Sequence, residues 1–177
     1  MMNSIPERQN EELQLRRLVA QRRLYSLAKT VLAWQMAVTV GFVVAWSLVV
    51  LWSPALKVYA AFWGFVALLF DFVLFAPWQN SLKQKAAGIQ ELFDCYVLSL
   101  PWQEIKAGPP PDVEAVTEWS RFPAGADYDS LKLRNWYPAE AGLAPLLIGR
   151  LICQRANCWW DSKLRRRYGI WITRRLR

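Results

Sequence analysis

The sequence predicts an all-α membrane protein: an antiparallel transmembrane helical hairpin, preceded by a basic N-terminal helix and followed by a cytoplasmic helical region. Three observations carry that prediction. Hydrophobic residues make up 54% of the 177, with 11 Trp among them, a higher apolar share than an ordinary globular domain carries. Charge is withdrawn from one block. Residues 1–29 hold six basic and three acidic side chains, residues 30–78 only Lys57 and Asp71, and residues 79–177 fifteen basic and ten acidic. Within that block lie two apolar runs, 31–52 and 58–78, each long enough at about 1.5 Å per residue to cross a hydrocarbon core of about 30 Å.

Each element follows in order. Residues 1–29 read as a helix that leads straight into the membrane, with Leu15, Leu18, Val19 and Tyr25 toward one side, Arg22 interrupting them, and Glu12 four residues before Arg16 as an i, i+4 ion pair. Its arginines serve as a topological signal or as contacts for anionic headgroups, and the sequence leaves both open. The first span is too long for a signal peptide's apolar region, and residues 53–57 make a tight turn into the second. Lys and Arg gather at the outer ends of the two spans, with Lys57 alone in the turn, so both termini are expected in the cytoplasm. Trp34 and Trp78 then share one interface, while Trp46 and Trp63 lie deeper as packing or lipid-facing aromatics.

Small residues recur every four positions in the first span, at Ala33, Ala37, Gly41 and Ala45, and in the second Ala60, Gly64, Ala67 and Asp71 continue a comparable face. Such faces let helix backbones approach closely, so these residues are the expected membrane helix interface. Asp71, the one acidic residue of the block, lies at the depth of Thr39 and within reach of Gln35. A carboxyl there marks a pore, an ion path or an oligomer contact, or else is neutral or snorkels to the interface.

Beyond the second span, Leu82, Ala86, Ile89, Phe93, Val97 and Leu100 keep a helical step up to Pro101. The region 79–177 then has a Pro-rich linker at 108–111, a short helix capped by Asp112, a loop PAGADYDS, a non-periodic stretch 133–142, and a last helix starting near Ala144 or Pro145. On that helix Leu147, Leu151, Gln154, Cys158, Asp161 and Arg165 form one strip, of mixed polarity and therefore expected to pack on a partner.

The chemistry this chain excludes is broad. It has no histidine, which removes His triads, His general bases and His-containing metal sites. Cys95, Cys153 and Cys158 show no CxxC spacing and read as reduced thiols. No phosphate loop or dinucleotide fingerprint occurs, so no catalytic residue, cofactor or metal is expected, and the chain reads as a non-enzyme. The basic ending, from Lys163 through Arg165, Arg166 and Arg167 to Arg174, Arg175 and Arg177, reads as a positive-inside flank or headgroup contact, with nucleic acid not expected.

Between residues 93 and 168 the segments FDCYVLSLPW, LRNWYP and LICQRANCWWDSKLRRRY, set after an N-terminal transmembrane pair, resemble the four-transmembrane pore-forming effectors of bacterial conflict systems, the family associated with SMODS nucleotidyltransferases. The matching positions are Phe93, Asp94, Leu100, Pro101, Trp102, Asn135, Trp136, Tyr137, Cys153, Gln154, Arg155, Asn157, Trp160, Asp161 and Arg165. The resemblance covers the N-terminal half of that pattern, since a second transmembrane pair would follow near Arg177. It implies an antiphage defence effector of the bacterial inner membrane that forms a homo-oligomer in the lipid bilayer and answers an upstream nucleotide-signalling or sensor protein. The alternative is a membrane-anchored adaptor that binds a protein partner or anionic lipid through its basic helices. Asp94, Arg155, Asp161 and Arg165 are expected to meet as a charged clamp, switchable or static.

Overall fold

The computed structural model describes residues 3–122 and 125–175, so Pro123 and Ala124 of the PAGADYDS loop and Arg177 of the basic ending lie outside it, as do the side chains of Arg174 and Arg175. Among the described residues there are helices and no strand. A short α1 (Ile5–Gln9) precedes α2 (Glu12–Trp52), which carries the N-terminal region and the first apolar run as one uninterrupted helix. A 3₁₀ turn at Pro54–Leu56 reverses the chain into α3 (Lys57–Phe70), a π-helical segment (Asp71–Phe75) and α4 (Ala76–Val97). Both long helical runs, Glu12–Trp52 and Pro54–Val97, have the length and hydropathy to cross a membrane.

The π segment departs from the regular helix expected for the second span. Its last turn closes with the Ala76 N–H donating to the Asp71 carbonyl, and Pro77, which has no N–H to donate, follows at once. A proline inside a helix removes a bond and crowds the preceding turn, and one wide turn accommodates it.

Outside the apolar runs, α2 and α4 continue side by side and bury one face against each other in two layers. The layer nearer the spans joins Ala20, Leu24, Ala28 and Val31 to Leu82, Ala86, Ile89 and Val116, the last from α6 (Val113–Trp119). The farther layer joins Ile5, Leu15, Leu18 and Val19 to Phe93, Val97, Leu98, Leu133, Tyr137, Ala141 and Cys153. The expected α4 stripe is therefore the buried one. On α2, however, the stripe continues through Leu24 and Ala28 while Tyr25 is half-buried, and Arg22 stands outside it, donating to the Leu131 carbonyl at 2.6 Å.

Helix α4 ends at Val97, short of Pro101, because Ser99 takes a left-handed backbone (φ 52°) and the Leu100 N–H turns back to the Cys95 carbonyl at 2.8 Å. Short helices α5 (Glu104–Ala107) and α7 (Glu140–Leu143) punctuate the connections, and α8 (Leu146–Arg175) closes the fold. Of the prolines at 109–111, Pro111 lies against α4: a Cβ added at Gly88 would stand 3.3 Å from Pro111 Cγ. Asp112 occupies the N-terminal boundary of α6 without a side-chain capping bond.

Candidate functional site

Between the two spans a column of polar side chains descends from the extramembrane end. Lys83 donates to Gln79 Oε1 (3.3 Å), Gln79 donates to Gln35 Oε1, and Gln35 donates to Asp71 Oδ1. Lys83 and Gln79 are one turn apart on the second helical run and Asp71 lies eight residues before Gln79, across the π turn, so a single amide from α2, Gln35, links Gln79 to Asp71. Below Asp71 the interface is aromatic: Phe42, Trp46 and Trp63 meet with ring centroids 5.9 to 6.2 Å apart.

The expected small-residue interface is split into two faces. Ala67 and Asp71 are half-buried and turn toward α2, where they line an apolar cleft with Thr39 and Phe42. Ala33, Ala37, Gly41, Ala45 and Gly64 are exposed, and a Cβ added at Gly41 or Gly64 would meet nothing within 4 Å. The spans meet instead through Phe42, Trp46 and Trp63, and the exposed ridge lies outside that contact.

Three motif residues of the extramembrane region, Phe93, Asp94 and Asn157, converge on a fourth, Tyr137, which is 1% exposed. Its hydroxyl donates to Asp94 Oδ1 at 2.6 Å and accepts from Asn157 Nδ2 at 3.1 Å. Its backbone N–H donates to Gln9 Oε1 at 2.7 Å, and its ring stacks on Phe93. One residue thus ties α1, α4, α8 and the 133–142 stretch together. Asn135 is exposed, with φ 53°, and its side-chain oxygen accepts from Asn10 at 2.9 Å.

Burial raises Asp94 from the ordinary carboxylate range to about 6, with the Tyr137 hydrogen bond working against that rise and the Glu91 charge adding to it. Burial, then the neighbouring Asp94 charge, pushes the Tyr137 phenol far above its usual value. The Cys95 and Cys153 thiols are both pushed to about 11, chiefly by burial, which keeps them protonated and poorly nucleophilic. All three cysteines are free, and Cys158 lies exposed on the other side of α8 from Cys153.

The expected clamp of Asp94, Arg155, Asp161 and Arg165 is not assembled. Asp94 takes Tyr137 as its partner, Arg155 is exposed, and Asp161 pairs at 2.8 Å with Arg165 along the exposed side of α8. Helical register explains this: α8 packs through Gly149, Cys153 and Asn157, and Arg155, two residues from Cys153, falls on the far side. For the same reason the strip of Leu147, Leu151, Gln154, Cys158, Asp161 and Arg165 is exposed, not packed on a partner within the chain. Pro101 is exposed and its carbonyl lies 3.8 Å from the Cys95 thiol, while Trp102 donates its indole N–H to the Gly108 carbonyl at 2.9 Å.

Sequence reasoning missed Gln9, Gln79 and Arg150. The last donates to the Leu98 and Ser99 carbonyls, both at 2.6 Å, and so satisfies the end of α4. For Gln79 the available signal was its place directly after the second apolar run, while nothing in the polar surroundings of Gln9 marked it.

Comparison with known proteins places these features in a family. The chain is 30% identical over 89 residues to a protein of Bacillus cereus (strain VD146) named "Probable CBASS effector molecule", a match spanning 49% of this chain and 28% of that relative's length. No solved structure matches. Residues 3–176 match the SMODS-associating 4TM effector domain, and the chain belongs to that family.

Proposed function

We propose that this chain is a nucleotide-triggered effector of a bacterial conflict system, which oligomerises in the inner membrane with both termini cytoplasmic and permeabilises the bilayer. The observation that carries this reading is the outward ridge of Ala33, Ala37, Gly41 and Ala45, which supports close helix packing between copies because Gly41 has open space where a Cβ would stand. The family match and the CBASS effector relative support the defence context. Asp71 supplies the polar group that a conducting assembly needs, and in the single chain its hydrogen-bonding capacity is met by Gln35.

That same bond favours a second reading, in which the hairpin is a satisfied, inert tether for an adaptor. The test is membrane potential, followed with a voltage-sensitive dye while the chain is expressed with its nucleotide trigger. Depolarisation by the native chain that Gly41→Leu abolishes is the expected result. Correctly inserted protein that leaves the potential unchanged would overturn the pore reading in favour of the tether.

A further inference from the structure

Apart from Lys57 and Asp71 the block of residues 30–78 carries no charge. Lys57 begins α3 and Asp71 follows its end, which separates the two by about 21 Å at about 1.5 Å per residue. Asp71 therefore stands far from any other charge of the spans.

The polar column that leads to it has a fixed direction. An ammonium can only donate, so Lys83 makes Gln79 Oε1 an acceptor, which turns the Gln79 amide nitrogen toward Gln35 and the Gln35 nitrogen toward Asp71 Oδ1. Every donor points down the column, and the last bond is given to a carboxyl oxygen, an arrangement that supports negative charge there. Among the described residues Asp71 Oδ2 takes no hydrogen bond, so one oxygen is left for a further partner.

That partner has a place. Asp71 lines the apolar cleft of about 460 Å³ between α2 and the second run, beside Thr39, Phe42, Trp63 and Phe70, and no described lining residue is basic. Aromatic faces attract cations, and a hydroxyl and a carboxylate offer them oxygen. The cleft is also distinct from the outward ridge, because Gln35 stands six residues from Gly41, about 120° round α2, so packing on the ridge does not use it.

We propose that this cleft lines the conduction path and that Asp71 makes the path selective for small cations over anions. The inference rests on the permeabilising reading above and names its permeant ion. In an assembly of several copies the carboxylates repeat around the path, as acidic rings do in cation channels. The basic residues at the mouth, Lys29, Lys83 and Lys85, act in the opposite sense, but they are exposed where salt screens them beyond about 8 Å, whereas Asp71 acts within an apolar wall.

The test reconstitutes the full chain in planar bilayers with cyclic di-AMP and cyclic tri-AMP added, and reads the reversal potential with KCl more concentrated on one side. A K+ over Cl− permeability ratio of about ten or more is expected, kept by Asp71→Glu and lost by Asp71→Asn, which retains an acceptor for Gln35 without the charge. A second measurement leaves Asp71 in place. Thr39→Cys combined with Cys158→Ser, which removes the exposed native thiol, is modified after insertion with a cationic or an anionic thiol reagent. The cationic reagent should lower the ratio about tenfold and the anionic one should not. Currents without preference for K+, or a ratio that neither Asp71→Asn nor the cationic reagent changes, would overturn the inference while leaving permeabilisation standing. Correctly inserted native chain that passes no current would overturn the permeabilising reading, and the inference with it.

Discussion

Asp94 is the residue whose environment most changes its chemistry. Its carboxyl titrates near 6 when folded and near 3.8 otherwise, so the folded state holds the proton more tightly. Stability is therefore lost as pH rises from about 4 to about 6, by about 3 kcal/mol from a shift of about two units. Asp94→Asn keeps an acceptor for Tyr137 without the charge. Its stability relative to the native chain should grow by about that amount between pH 4 and pH 7.5, read from thermal melts in detergent, and parallel pH profiles would sink the idea. Tyr137→Phe should cost about 1–3 kcal/mol by stranding Asp94 and Asn157, with membrane insertion unchanged. Serine at positions 95, 153 and 158 together should leave depolarisation intact, since Cys95 and Cys153 are held as thiols far from their reactive range. Loss of activity with normal insertion would contradict that.

Among elements, α8 is attached where α7 and α1 meet it, and the fit is tight. A Cβ at Gly149 would lie 2.7 Å from the Ala141 carbonyl oxygen and 3.1 Å from Ile5 Cδ1. A backbone carbonyl cannot step aside as a flexible side chain can, so Gly149→Ala should destabilise the extramembrane bundle by about 1–3 kcal/mol. Limited proteolysis should then release α8 while leaving the hairpin protected. Gly41→Ala, with open space around it, should be silent in the same assay. The π segment was not expected from the apolar pattern, which reports hydropathy and not hydrogen bonding, although Pro77 stood in the sequence as its cause. The failure of the charged clamp has a similar origin. Opposite charges were legible, but which face of α8 packs depends on the steric fit of Gly149 and Cys153.

For the whole molecule, α2 and the run from α3 to α4 pass without interruption from the apolar spans into the extramembrane bundle, so a change in the bundle has a rigid route to the hairpin. Gln35, Gln79 and Asp71 lie where that route enters the spans. Gln35→Leu should leave Asp71 without its donor and alter the trigger dependence of depolarisation, with insertion preserved. Unchanged dependence would separate the polar column from gating.

Hydropathy and helical period alone determined the hairpin, the continuity of its helices with the flanking ones, and the buried α4 stripe from Leu82 to Val97, because water exclusion acts on each segment locally. The motif order singled out Asp94, Tyr137 and Asn157 in the sequence. Tertiary structure alone decided that these three join each other and not the arginines, that the small ridge faces outward, and that Gln21, Trp160 and Lys163 border one cleft. Those outcomes depend on side-chain volume and on which helix faces meet across distant parts of the chain, and neither is written in the period of any one segment.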